Sequence, residues 1–140
     1  MQKKTSLILN YKMKYVVDAY SWIDYFDGNE AGKKVKEYIE NPANEIITNT
    51  LNLAEIASFF KRKNANLEEA YKIILSVSKI YNFDEEFSKE AGLLHAEIKR
   101  NNKEFGLIDA FVLLTAKSLK AKILTGDEHF RSFKESILIK

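Results

Sequence analysis

Short runs rich in β-branched and aromatic residues alternate along this chain with longer segments of helical spacing, and no other feature narrows the architecture as much. The β-like runs are KYVVD at 14–18, EIIT at 45–48, KIYNF at 79–83 and KILT at 122–125, with SILIK at the end of the chain as a fifth. Helical spacing covers 29–40, where Val35, Tyr38 and Ile39 recur, and 50–63, which opens on Thr50 as an N-cap candidate and closes on three basic residues. It returns at 66–78 behind Asn66, at 84–101 behind Asp84, and at about 107–119. The stretch IDYFDGN ends a further short helix, with Gly28 as its terminator. Strands alternating with helices predict an α/β fold in which a mostly parallel sheet is covered on both faces. Ligands in such folds gather at the carboxyl ends of strands, near the point where the strand order reverses.

The alternation runs unbroken. No repeat, low-complexity tract or Gly/Ser linker interrupts it, and 140 residues with 46% hydrophobic content suffice for one core, so residues 1–140 are expected to form a single domain. Residues 1–12 read as a possible N-terminal extension, because Met13 looks like a natural initiator; the core is then 13–140. Within that leader only Leu7, Ile8 and Leu9 form a continuous apolar run, too short for a signal-peptide core or a membrane span. The chain has no cysteine, which removes disulfides, thiolate metal sites and a Cys nucleophile and fits a cytoplasmic protein. Its net charge of +2, from 22 basic and 20 acidic residues, is not that of an indiscriminate nucleic-acid binder. Gathering several acids into one metal-filled pocket would nonetheless leave a basic excess elsewhere, suited to a phosphate-bearing substrate.

Asp109 stands in the apolar run GLIDAFVLLTAK, and on a helix it shares a face with Val112, Leu113 and Ala116. A lone ionised carboxylate on an inward face is costly, so Asp109 needs a partner, a solvent cleft or a metal. Asp18 ends the first β-like run and Asp127 follows the KILT run, which puts both at the same carboxyl edge. Glu55 lies about one and a half turns into its helix on a stripe with Leu51 and Phe59, flanked by Asn52. Each acid has a simpler role available. Asp127 can cap the turn EHF, Asp109 can be a first-turn acid, and Asp18 can be a turn residue; Glu55, inside a helix, has neither excuse. Taken together they form an oxygen-donor set of the kind that hard divalent cations prefer, and clustered carboxylates repel one another unless a cation compensates.

The segments YVVDAYSWIDYF, TLNLAEIASFF, GLIDAFVLLTAK and ILTGDEHF occur in this order, and from about Met13 to the end the chain resembles the PIN-domain nucleases. It is most similar to the small prokaryotic toxins of VapBC-type toxin–antitoxin pairs. No single motif is specific, but the four acids follow at spacings of 37, 54 and 18 residues (18 to 55, 55 to 109, 109 to 127). The resemblance implies a PIN-like three-layer α/β/α fold around a five-stranded sheet. It implies that Asp18, Glu55, Asp109 and Asp127 bind Mg²⁺ or Mn²⁺, with Thr125 as a supporting residue that bonds a metal-bound water. It further implies endoribonuclease activity leaving 5′-phosphate and 3′-hydroxyl ends, an RNA substrate, a small antitoxin partner and a homodimer. Two positions depart from the commoner pattern. Tyr20, followed by Ser21, stands where many relatives have a small polar residue, and His129 stands where many have a further acid, which bears on a second metal position.

The remaining polar groups read more plainly. His95 is expected on a helix surface or in packing, His129 in hydrogen bonding or capping, and Asp24 and Asp27 in structure. Lys33, Lys34 and Lys36 suggest a solvated helix face, whereas Lys61 to Lys63 and Lys99 to Lys103 are candidates for RNA phosphates. The aromatic residues Tyr20, Trp22, Tyr25, Phe26, Phe59 and Phe60 suit either core or interface. Two other functions were compatible with the pattern: a PIN-fold RNA- or protein-binding adaptor with a weak metal site, and a phosphoryl-transfer protein of the receiver or haloacid-dehalogenase kind. The latter is disfavoured, because VVDAY lacks a paired D-x-D and TGDEHF offers no lysine.

Overall fold

A computed structural model describes residues 12–139. Most of the 1–12 leader and the final Lys140 therefore lie outside the described residues. The elements follow the expected alternation: β1 (Met13–Val17), α1 (Ala19–Asp27), α2 (Glu30–Ile39), β2 (Asn44–Asn49), α3 (Thr50–Arg62), α4 (Leu67–Val77), β3 (Lys79–Tyr81), α5 (Glu85–Lys99), α6 (Leu107–Leu119), β4 (Lys122–Thr125), a 3₁₀ turn at Glu128–Phe130, and β5 (Ser136–Leu138). The five strands form one sheet in the order β3-β2-β1-β4-β5, and every neighbouring pair is parallel. The sheet is thus wholly parallel among the described residues. β1 occupies the centre, and the strand order reverses between β1 and β4.

The pleat of the central strands divides the core in two. Tyr15, Val17, Ile46 and Leu124 pack with Trp22, Val35, Ile39, Ile56, Phe60 and Ile74 of α1–α4 on one face. Val16, Ile47 and Ile123 pack with Phe105, Ala110, Val112, Leu113 and Ala116, joined by Leu94 and Ile98 of α5, on the other. Successive strand residues point to opposite faces, so near-continuous apolar runs are what a doubly covered sheet requires. Burying each large apolar side chain contributes roughly 1.5–3 kcal/mol.

Local chemistry explains the boundaries. Asn66 and Asp84 cap α4 and α5 as expected, accepting from the N–H groups of Glu69 and Phe87. At α3 the cap is Asn49, whose side chain accepts from Asn52 N at 2.7 Å, and Thr50 is already helical; the expected threonine cap is one residue late. β3 stops at Tyr81 rather than running to 83, because Phe83 turns to stack on Phe87 and meet Phe111 edge-on. Gly28 closes α1 in the left-handed region at φ 76°, donating to Asp24 O. Four residues later Gly32 lets α2 touch α1, since a Cβ there would sit 1.9 Å from Asp24 O.

Candidate functional site

Asp18 lies one residue beyond β1, and Asp127 lies two beyond β4, its sheet neighbour. Both therefore stand at the carboxyl edge where the strand order reverses. Asp18 is the N-cap of α1: its Oδ1 accepts from Ser21 N at 2.8 Å, while Ser21 Oγ donates back to Leu124 O at 3.0 Å. The serine so ties the start of α1 to β4. Asp18 is only 9% exposed, and burial pushes its carboxyl up to about 6, against hydrogen bonds from Thr125 and Ser21 that favour the charged form. The nearby Asp127 carboxylate adds to the rise.

The other acids are held in a similar way. Asp127 Oδ1 accepts from His129 N at 2.8 Å, which makes Asp127 the cap of the 3₁₀ turn, as its simpler reading predicted. Asp109 sits in the first turn of α6 and reaches back so that Oδ2 accepts from Gly106 N at 2.8 Å. Glu55 Oε1 accepts from Asn52 Nδ2 at 3.0 Å. One oxygen of each carboxylate is thus engaged by a local donor, which fixes its rotamer. Capping and convergence are not rival explanations here; the caps aim the acids.

Electrostatics shows that the four acids are neighbours. Burial raises the Asp109 carboxyl, and Asp127 raises it further, while His129 and His95 act in the opposite direction. Burial also raises Glu55, with Asp109 contributing the repulsion. The acids are coupled in series, Asp18 to Asp127, Asp127 to Asp109, and Asp109 to Glu55. The coupling is pairwise, each acid to the next, and the two that trail strands stand at the carboxyl edge of the sheet. Glu55 is not on the buried stripe of α3, which is Asn52, Ile56 and Phe60; with Leu51 and Phe59 it lies on the half-buried flank, lining a cleft.

Among the described residues no three His, Cys, Asp or Glu side chains close to the spacing of a complete ion cage. An octahedral ion that keeps several waters needs only one or two direct carboxylates, and the Asp18–Asp127 and Asp127–Asp109 pairs offer that chemistry. Carboxylates that burial and mutual repulsion push upward fit a hard cation that would relieve both.

Several residues at this edge were not anticipated. In the sequence Ser21 stands out only as the neighbour of Tyr20, and nothing around Asn49 singles it out. Thr125, fully buried, accepts from Asp127 N at 3.0 Å and hydrogen-bonds the Asp18 carboxylate, so its hydroxyl joins the two acids. Asn49 and Asn52 are buried beside Glu55, with Asn49 Nδ2 and Asn52 Oδ1 lacking protein partners. A buried amide at the end of a strand and another inside a helix were the available signals. His95 behaves as expected, its Nε2 3.2 Å from Phe105 O, and His129 serves the 3₁₀ turn. Asp24 Oδ1 accepts from Asn29 Nδ2, a structural role.

A parallel α/β sheet with buried acids at its switch point defines a class of proteins that bind ligands at that edge. The chain belongs to the PIN domain family, which it matches over residues 15–136. The fold recurs in solved structures. A toxin–antitoxin complex from Klebsiella pneumoniae is 20% identical and superposes with a TM-score of 0.72 over 90% of this chain and 98% of that one. DNA-bound VapBC from Salmonella typhimurium is 16% identical at TM-score 0.68, over 91% and 99% of the two chains. The sarcin–ricin loop cleaving toxin VapC20 of Mycobacterium tuberculosis is 16% identical at 0.66, over 86% and 95%. No curated protein sequence matches the chain.

Proposed function

We propose that this PIN-domain protein is a metal-dependent endoribonuclease and the toxin of a toxin–antitoxin pair. The observation that carries the reading is the series of four coupled carboxylates contributed by four separate segments, with the most buried of them, Asp18, pushed up to about 6. Family membership adds the PIN fold; two structures of similar fold are a toxin–antitoxin complex and a DNA-bound VapBC, and a third is described as a sarcin–ricin loop cleaving toxin. In this reading Asp18, Asp109 and Asp127 hold Mg²⁺ or Mn²⁺, with Glu55 directly or through water. A bound divalent ion supplies an acidified water and offsets charge that develops on the phosphate.

The chain's own residues do the rest. Ser21, Gly106, Asn52 and His129 each pin one carboxylate oxygen, so the acids meet the ion without first reorganising. Thr125 sets the separation of Asp18 from Asp127 through its single hydroxyl. The products are 5′-phosphate and 3′-hydroxyl ends. A small antitoxin, a homodimer and a cytoplasmic setting complete the proposal; among the described residues no helix is long and apolar enough to cross a membrane.

The test is cleavage of single-stranded RNA by the protein and by Asp18→Asn, with EDTA, Mg²⁺ or Mn²⁺, alongside calorimetric titration with Mn²⁺. Metal-stimulated cleavage that the substitution abolishes, together with weakened Mn²⁺ binding, is expected. Full activity in Asp18→Asn would overturn the site assignment, and Mn²⁺ binding without cleavage would favour an adaptor.

A further inference from the structure

Tyr20 is 64% exposed although both its neighbours, Ala19 and Ser21, are buried. The other aromatic residues of α1 join a cluster in which Trp22, Tyr25 and Phe26 contact one another and Phe26 meets Phe60. Among the described residues no ring packs on Tyr20, and its hydroxyl makes no hydrogen bond. Nothing in the fold uses this side chain.

Its position is particular. Tyr20 lines two adjoining clefts: one contains Asp18 and Asp127, and the other, of about 310 Å³, contains Glu55, Ser58, Phe59 and Arg62. The ring stands on the ridge between the two halves of the acidic series. Arg62, at the end of α3, lies beyond Glu55 by roughly 10 Å of helix rise. It sits over Phe59 at 5.9 Å, as does Lys63, so two cations mark the far end of the second cleft.

An unpartnered aromatic face beside carboxylates, with guanidinium and ammonium groups further along, is the chemistry that holds one unpaired nucleobase and the phosphate next to it. A duplex offers no free base face at such a ridge. We propose that Tyr20 is the stacking platform for a base flanking the scissile phosphate, that Arg62 holds a phosphate further along the strand, and that the substrate is single-stranded at this point. The inference deepens the nuclease reading and rests on it for the location of the scissile phosphate. The binding of a base by Tyr20 is independent of cleavage.

The experiment measures binding of the full chain in EDTA to two fluorescein-labelled probes, a randomised single-stranded 12-nucleotide RNA and an abasic ribose-phosphate strand of the same length. The wild-type protein is expected to bind the RNA about tenfold more tightly than the abasic strand, one stacked base in free-energy terms. Tyr20→Ala loses that preference while binding the abasic strand like wild type, and Tyr20→Phe restores it. Arg62→Gln weakens both probes alike and flattens the salt dependence. An unchanged preference in Tyr20→Ala, or no binding of the RNA by wild type, overturns the proposal, as does a Tyr20→Ala defect confined to a protein partner. Cleavage with Mg²⁺ or Mn²⁺ is scored separately. Cleavage with no Tyr20 effect keeps the nuclease and discards the platform, whereas Tyr20-dependent binding without cleavage does the reverse.

Discussion

The Thr125 hydroxyl hydrogen-bonds the Asp18 carboxylate across the junction of β1 and β4, and the same oxygen accepts from Asp127 N at 3.0 Å. One buried side chain thus spaces two acids that would otherwise repel each other unrestrained. Thr125→Val keeps the shape but removes the hydroxyl, leaving Asp127 N without its acceptor and Asp18 with one fewer donor. The expected loss is about 1–3 kcal/mol in urea unfolding, with the Asp18 carboxyl rising further. Thr125→Ser recovers most of both; a valine variant as stable as wild type would contradict the bridging role.

Stability should depend on pH through Asp18. Burial raises its carboxyl from 3.8 to about 6, so between these values the folded state keeps a proton that the unfolded chain has lost. The stabilisation from this group is complete below the unfolded value and is lost as pH rises through about 6, at most about 3 kcal/mol. In EDTA, the stability difference between wild type and Asp18→Asn should therefore shift in favour of the asparagine variant as pH goes from 4 to 7. Millimolar Mn²⁺ should protect wild type at pH 7 more than at pH 4, because in the proposed site the ionised carboxylate is the ligand. A difference between the two proteins that is flat with pH would count against the buried, uncompensated acid.

The contact of α1 with α2 has no room for a side chain at Gly32. A Cβ there meets the backbone oxygen of Asp24 at 1.9 Å, and backbone cannot swing aside as a flexible side chain can. Gly32→Ala is expected to cost about 1–3 kcal/mol even though alanine is the better helix former. Thermal unfolding of the variant checks this; a neutral or higher melting temperature would show that the helices separate easily.

Trp22, the sole tryptophan, is fully buried, and its Nε1 donates to Thr48 Oγ1 at 3.0 Å. Thr48 passes the bond to Ser78 Oγ, which donates to Ile74 O, so α1, β2 and the end of α4 share one polar thread through an apolar core. Thr48→Val strands the indole N–H and should destabilise by about 1–3 kcal/mol. Tryptophan emission should remain that of a buried ring, and chemical denaturation should give the loss. An unchanged midpoint would mean that the indole finds another acceptor.

Much of this architecture is readable in the residues themselves. The β-branched runs fix the strands because both faces are covered, and Asn66, Asp84 and Gly28 mark boundaries by chemistry that acts within three or four residues. The convergence of Asp18 and Asp127 follows from their both trailing strands. What escapes the sequence depends on contacts distant along the chain. Asn49 falls between the β-like run at 45–48 and the helical run at 50–63 and becomes a cap only through its place before α3, and Phe83 reads as strand until Phe87 and Phe111 draw it away. The double use of the Thr125 hydroxyl requires β1 and β4 to lie side by side, which no local pattern specifies. Tyr20 resembles the aromatic residues that follow it; only its exposure in the folded chain sets it apart.

The strand order carries one more consequence. β4 pairs with β1 at the middle of the sheet although α1–α6 and two other strands intervene along the chain. Asp18 and Asp127, which are 109 positions apart (127 − 18), therefore meet only once the late strand has docked against the first. A fragment that stops short of β4 leaves Asp18 without its acidic neighbour, so the pair belongs to the assembled sheet and to neither half of the chain alone.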